Sequence, residues 1–191
     1  MRPAGALILM MMLVCGAAGA ASAQTQHTYK VLATARTSTM QSEMEQAGKA
    51  GYRFVAVMGG STAIGGREVV VLMEKTEGDA TTYSYRLLAT SKTSTLQKEL
   101  QEAGDDGYAI VGQTVFESTF GGRETAAIVE RRQGDEVVRY EYRLVATAKT
   151  STLERELRDL AELGFQALDL TVGQTAFGGS EIVVITRRRV P

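Results

Sequence analysis

Tyr85-Arg86-Leu87-Leu88-Ala89-Thr90-Ser91-Lys92-Thr93-Ser94-Thr95-Leu96 reads as a strand, a basic residue and the start of a helix, and the chain carries this stretch three times. The other copies occupy residues 29–40 and 142–153. Between residues 85–100 and 142–157, 12 of 16 positions are identical, which is too many for chance convergence of two amphipathic segments and marks an internal duplication. From the opening tyrosine the copies align without a gap over residues 29–75, 85–131 and 142–188, so length variation is confined to the linkers.

Each unit opens with an alternating segment that places Tyr29, Val31 and Ala33 on one face and Lys30, Leu32 and Thr34 on the other, with the same pattern from Tyr85 and Tyr142. Only one of the two faces is plainly core. A helix follows. Ser38, Ser94 and Ser151 stand three residues before Gln41, Gln97 and Glu154, the spacing of a reciprocal capping box, in which a lost serine costs about 1 kcal/mol. Met40, Met44 and Ala47 recur at helical spacing, as do Leu96, Leu100 and Ala103, and Leu153, Leu157 and Leu160, giving each helix one apolar stripe. Gly51, Gly107 and Gly164 suit the left-handed position that ends a helix.

A second strand is expected over residues 52–58, 108–116 and 165–172, and a third over 68–74, 125–130 and 181–186. Residues 69–73 and 182–185 are apolar without alternation, the pattern of a strand covered on both faces. One helix covers only one face, so the sheet of another unit is expected on the second. Gly78-Asp79 and Gly134-Asp135 favour turns in the linkers, 76–84 and 133–141, and suggest an antiparallel hairpin from one unit into the next. Units this small bury too little surface to stand alone; even a domain of ~60 residues is marginal. The expected fold is therefore α+β: three tandem βαββ modules (29–75, 85–132 and 142–191) with mixed or antiparallel sheets sharing a core, and one helix per module.

The unit resembles a family of small bacterial domains of unknown function. Such domains have an opening Tyr-Lys-Val strand, a Leu-rich helix, a Gly-Trp-Glu-Leu-Val second strand and a closing strand that ends in Lys-Arg. Tyr29-Lys30-Val31, Leu96 with Leu100, Gly107-Tyr108-Ala109-Ile110-Val111 and Glu130-Arg131-Arg132 carry the likeness, with Tyr52, Tyr108 or Phe165 at the tryptophan's place. The resemblance implies a βαββ fold and brings no catalytic residue with it.

Residues 1–23 read as a secretory leader: Arg2 is the basic start, residues 6–14 an apolar run too short to span a bilayer, and Ala21-Ser22-Ala23 a small-residue cleavage site. Residues 24–28 form a short tail. The only cysteine, Cys15, lies in the leader, so neither a disulfide nor a cysteine-bound metal is expected in the exported chain. Loss of Arg2 leaves 20 basic against 22 acidic residues, a formal −2, which offers nucleic acid no global basic field. No second apolar run follows to cross a membrane after processing. The expected location is periplasmic or extracellular.

Two sets of residues are candidates for recognition. At the strand-to-helix joint, Arg36 with Ser38, Lys92 with Ser94, and Lys149 with Ser151 set a cation and hydroxyls at a helix start, an arrangement suited to an anionic ligand or glycan. At the hairpin tips, Ile64-Gly65-Gly66, Phe120-Gly121-Gly122 and Phe177-Gly178-Gly179 pair an apolar anchor with glycines and suit an envelope or extracellular protein partner. Catalysis has little to build on. His27 is the single histidine and has no counterpart in the other repeats, while Glu43, Glu99 and Glu156 fall one position before the stripe and are expected in solvent. No metal-ligand spacing, cofactor motif or base-bearing nucleophile occurs, and the function expected is that of an exported, non-catalytic structural or interaction module.

Overall fold

The structure is a computed structural model that describes residues 25–62, 66–117, 123–174 and 179–190. Its elements follow one order three times. The first unit holds β1 (His27–Thr34), α1 (Thr37–Lys49), β2 (Arg53–Thr62) and β3 (Gly66–Thr76). The second holds β4 (Tyr83–Thr90), α2 (Thr93–Asp105), β5 (Ala109–Glu117) and β6 (Arg123–Arg132), and the third β7 (Tyr140–Thr147), α3 (Thr150–Glu162), β8 (Gln166–Gln174) and β9 (Ser180–Arg189).

Each unit forms its own three-stranded antiparallel sheet with the last strand in the middle: β1-β3-β2, β4-β6-β5 and β7-β9-β8. The outer strands of a sheet are both antiparallel to its centre, so they run parallel to each other, and the helix supplies the long crossover that parallel strands need. The expected hairpin between units does not form: β3 is already paired on both edges, and the chain turns at Gly78 (φ +82°) and Gly134 (φ +87°) to begin a separate sheet. The second strand of every unit carries a bulge at the same place, between Phe54 and Ala56, Ile110 and Gly112, and Ala167 and Asp169. A bulge resets the alternation, so Phe54 and Val57 pack on one face despite their odd spacing.

The helices end as expected, with Gly51, Gly107 and Gly164 at φ of +88°, +81° and +83°. Their beginnings correct the capping-box reading. Arg36, Lys92 and Lys149 are the cap residues, in extended conformation, and no side chain caps the start of any of the three helices. Ser38, Ser94 and Ser151 sit inside the first turn. The approach to the helix is fixed instead by Thr34, Thr90 and Thr147, whose hydroxyls accept the N–H of the cap residue at 3.2 Å in each copy.

The core is split between the two junctions. Met40, Met44 and Ala47 of α1, Val69, Val71 and Met73 of β3, Tyr83 and Tyr85 of β4, and Ala126 and Ile128 of β6 form one buried cluster. Leu96, Leu100 and Ala103 of α2, Ile110, Ala127 and Val129 of the second sheet, and Tyr142 and Ile185 of the third form the other. Alternation along β6 sends Ala126 and Ile128 back to the first unit and Ala127 and Val129 forward to the third, so the middle sheet is covered on both faces by its neighbours. The end units have one neighbour each: Val70 and Leu72 of β3, which look away from the first cluster, are only half-buried.

Candidate functional site

The most elaborated site in the molecule is the joint between consecutive units. Helix α1 packs more on β4 of the next unit than on its own sheet, and α2 packs most on β7. Three elements make this possible, the first a glutamine. Gln41 of α1 donates to the carbonyl of Tyr85 (2.9 Å) and accepts from the N–H of Leu87 (2.6 Å), and Gln97 of α2 does the same with Tyr142 (2.9 Å) and Leu144 (2.7 Å). These are the groups that the open edge of β4 and β7 leaves unpaired, and a primary amide, with donor and acceptor side by side, matches a strand edge. Gln101 repeats the grip one turn on, donating to Tyr140 O and accepting from Tyr142 N.

The second element is a glycine. A Cβ on Gly48 would stand 2.4 Å from the carbonyl oxygen of Tyr83 and 2.8 Å from the Tyr85 ring, and one on Gly104 would meet Tyr140 and Tyr142 at 2.4 and 2.9 Å. Helix and strand therefore touch backbone to backbone. The third is the tyrosine, 1% exposed at both joints. The Tyr85 hydroxyl accepts from Phe54 N (2.9 Å) and donates to Glu130 Oε2 (2.8 Å), and that of Tyr142 accepts from Ile110 N (2.8 Å) and donates to Tyr108 O (3.1 Å). Burial raises the pKa of both phenols, Glu130 adding to the effect at Tyr85, so both stay protonated.

The first joint also carries charge. Buried Glu130 accepts from Arg53 Nε at 3.3 Å, and its attraction holds the arginine's pKa above the ordinary value. Tyr85 completes a triangle with them, and Arg53 and Glu130 border a cavity of about 310 Å³ shared with Tyr83, Arg131 and Arg132. The carboxylate's oxygens are taken by Tyr85 and Arg53, so the cluster is suited to locking two units together rather than to moving a proton. At the second joint Ala109 and Arg187 hold the places of Arg53 and Glu130, and the triangle is absent there.

The anion candidates are kept apart. Arg36, Ser38, Lys92, Ser94, Lys149 and Ser151 are all exposed, each pair at the start of its own helix. The start of α2 faces a cleft of about 10 Å³ in which Arg123 is accompanied by Glu124 and Glu181, and the two carboxylates oppose an anion. Of the tips, Gly66 (φ +78°, with open space around it) and Gly179 are described; Ile64, Gly65, Phe120, Gly121, Gly122, Phe177 and Gly178 lie outside the described residues. His27 belongs to β1 rather than to a tail, with Nδ1 3.7 Å from Glu74. Glu99 is not in solvent as expected: its Oε2 is buried without a hydrogen-bond partner, and burial first, then Glu102, raises its pKa. Among the described residues no group of three or more His, Cys, Asp or Glu is placed to hold a metal ion.

The residues that build the joint were not singled out in the sequence as a site. The signal that finds them is a contrast between copies: Gln41, Gln97 and Gly48, Gly104 recur in the two units that have a successor, while the last unit has Glu154 and Ala161. No family model, curated protein or solved structure matches the chain.

Proposed function

We propose that this is an exported, non-catalytic structural or protein-interaction module of the envelope or extracellular space, made of three βαββ units. The observation that carries the reading is that the repeated residues are used for joining units: glutamine, glycine and tyrosine build the same joint twice. A repeat array held by nearest-neighbour joints presents extended surfaces suited to assembly. The leader-like residues 1–23 support export, and among the described residues no helix is long and apolar enough to cross a membrane.

The test is to map the amino terminus and the location of the chain in fractionated bacterial cells. A chain beginning at Gln24 and held in the envelope fraction through a salt wash is the expected result. Recovery from the cytosol with residues 1–23 intact would overturn the reading.

A further inference from the structure

The joint has a direction, and both of its halves are left over at the ends of the chain. Every joint is made by the helix side of one unit and the tyrosine side of the next. Among the described residues, the first unit therefore has an unused tyrosine side and the last an unused helix side. At the first end Tyr29 is 59% and Val31 64% exposed, whereas Tyr85 and Tyr142, at the place of Tyr29, are 1% exposed. Val55 and Met58 of β2, across β3 from them, are exposed as well; at their places in β5, Val111 packs into the first core and Thr114 accepts from Gly59 N. At the other end α3 has no buried residue, although Leu153, Leu157 and Leu160 continue the stripe that α2 buries completely, and Leu170 is 65% exposed where Gln113 is buried.

We infer that a second copy of this chain is the partner, docked head to tail, with the β1–β2 face of one molecule on the α3–β8 face of the next. The contact is continuous with the two joints inside the chain: it would be the third use of the same geometry, with Tyr29 taking the part of Tyr85 and Tyr142. The backbone that receives the tyrosine hydroxyl survives, since Ala167 and Phe165 hold the places of Ile110 and Tyr108. The inference deepens the interaction-module reading by naming its partner.

Three departures make this contact weaker than the internal ones. Ala161 stands where Gly48 and Gly104 let the strand approach, so the strand must sit farther out. Glu154, at the place of Gln97, accepts from a strand N–H but cannot donate to its carbonyl. Arg158, at the place of Gln101, keeps a donor, and in the free chain it is paired with Glu154 at 3.0 Å. The result is reversible association that depends on concentration, in contrast to the permanent internal joints. A head-to-tail contact closes into a ring or extends into a filament according to its rotation.

The test is sedimentation velocity of the purified chain over a dilution series, with Val31→Glu as a tail block and Leu170→Glu as a head block. Both positions are exposed, so the variants keep the folded circular-dichroism spectrum of the wild type. The wild type is expected to grow with concentration, each variant alone to stay monomeric, and an equimolar mixture to form one-to-one dimers. Ala161→Gly with Glu154→Gln is expected to tighten wild-type association about tenfold, the effect of one restored hydrogen bond at the upper end of its usual range. A wild type that stays monomeric to millimolar concentration overturns the inference. So does a single variant that still dimerises alone, which would indicate a symmetric contact. A monomer that is nevertheless retained in the envelope would sink self-docking while leaving the export and interaction reading standing.

Discussion

At the scale of single residues, the joint rests on a missing atom. Alanine favours a helix over glycine by about 1 kcal/mol, so Gly48→Ala and Gly104→Ala would stabilise isolated helices. In the folded chain the added Cβ meets a strand carbonyl at 2.4 Å, and backbone cannot step aside as a side-chain tip can. Overpacking of this kind costs about 1–3 kcal/mol and outweighs the helical gain, so both variants are expected to have lower urea midpoints than the wild type. A glycine kept only for chain flexibility would show the opposite sign. Glu99 gives a second prediction. Burial and the Glu102 charge lift its folded pKa above the unfolded one, so the folded chain holds a proton that the unfolded chain has already lost. Stability therefore falls as pH rises through the carboxylate range and stays lower above the folded pKa. Glu99→Gln is expected to raise the melting temperature at neutral pH, with the gap closing as pH drops below the range; a gap constant across pH would remove Glu99 titration as its cause.

At the scale of elements, each inner helix is a receptor for the edge of a foreign strand. Gln97→Ala leaves Tyr142 O and Leu144 N facing a helix with nothing to bond, at a cost of about 1–3 kcal/mol for half-buried groups. The same change at Glu154 of α3, where no described strand of a following unit sits, is expected to change stability by less than about 0.5 kcal/mol; chemical denaturation of the two variants provides the comparison. This contrast also marks what could be read in advance. The elements were legible because their signals are local: tyrosine-led alternation, a stripe at helical spacing, and glycines at positive φ ending each helix. The capping box was a misreading for a physical reason. A glutamine three residues after a serine serves either its own helix end or a neighbouring strand, and the sequence does not say whether a neighbour is there. The hairpin failed likewise, since Gly78-Asp79 specifies a turn but not which edge of β3 is still open. The joint itself involves residues some 45 positions apart, such as Gln41 with Tyr85, and only the substitutions in the final copy distinguished it.

At the scale of the whole molecule, stability in a chain of nearest-neighbour joints is distributed by the number of neighbours each unit has. The second unit is held from both sides, with β6 contributing side chains to both cores. The third has its sheet packed on the second, but its helix contacts only β7 and β8 of its own unit to any extent. Local opening follows such differences, because a segment with few buried apolar contacts unfolds without the rest. Hydrogen exchange at low protein concentration is therefore expected to rank the helices, with amides of α3 exchanging well before those of α2 although the two are equal in length and begin with the same four residues. β6 should exchange last. Raising the concentration toward that at which copies dock should slow exchange in α3 and β1 together, since each end covers the other, and leave β6 unchanged. Equal protection of α2 and α3 in the dilute monomer would mean that the third helix draws its stability from within its own unit, and the reading of the joint as the molecule's main source of cohesion would fail.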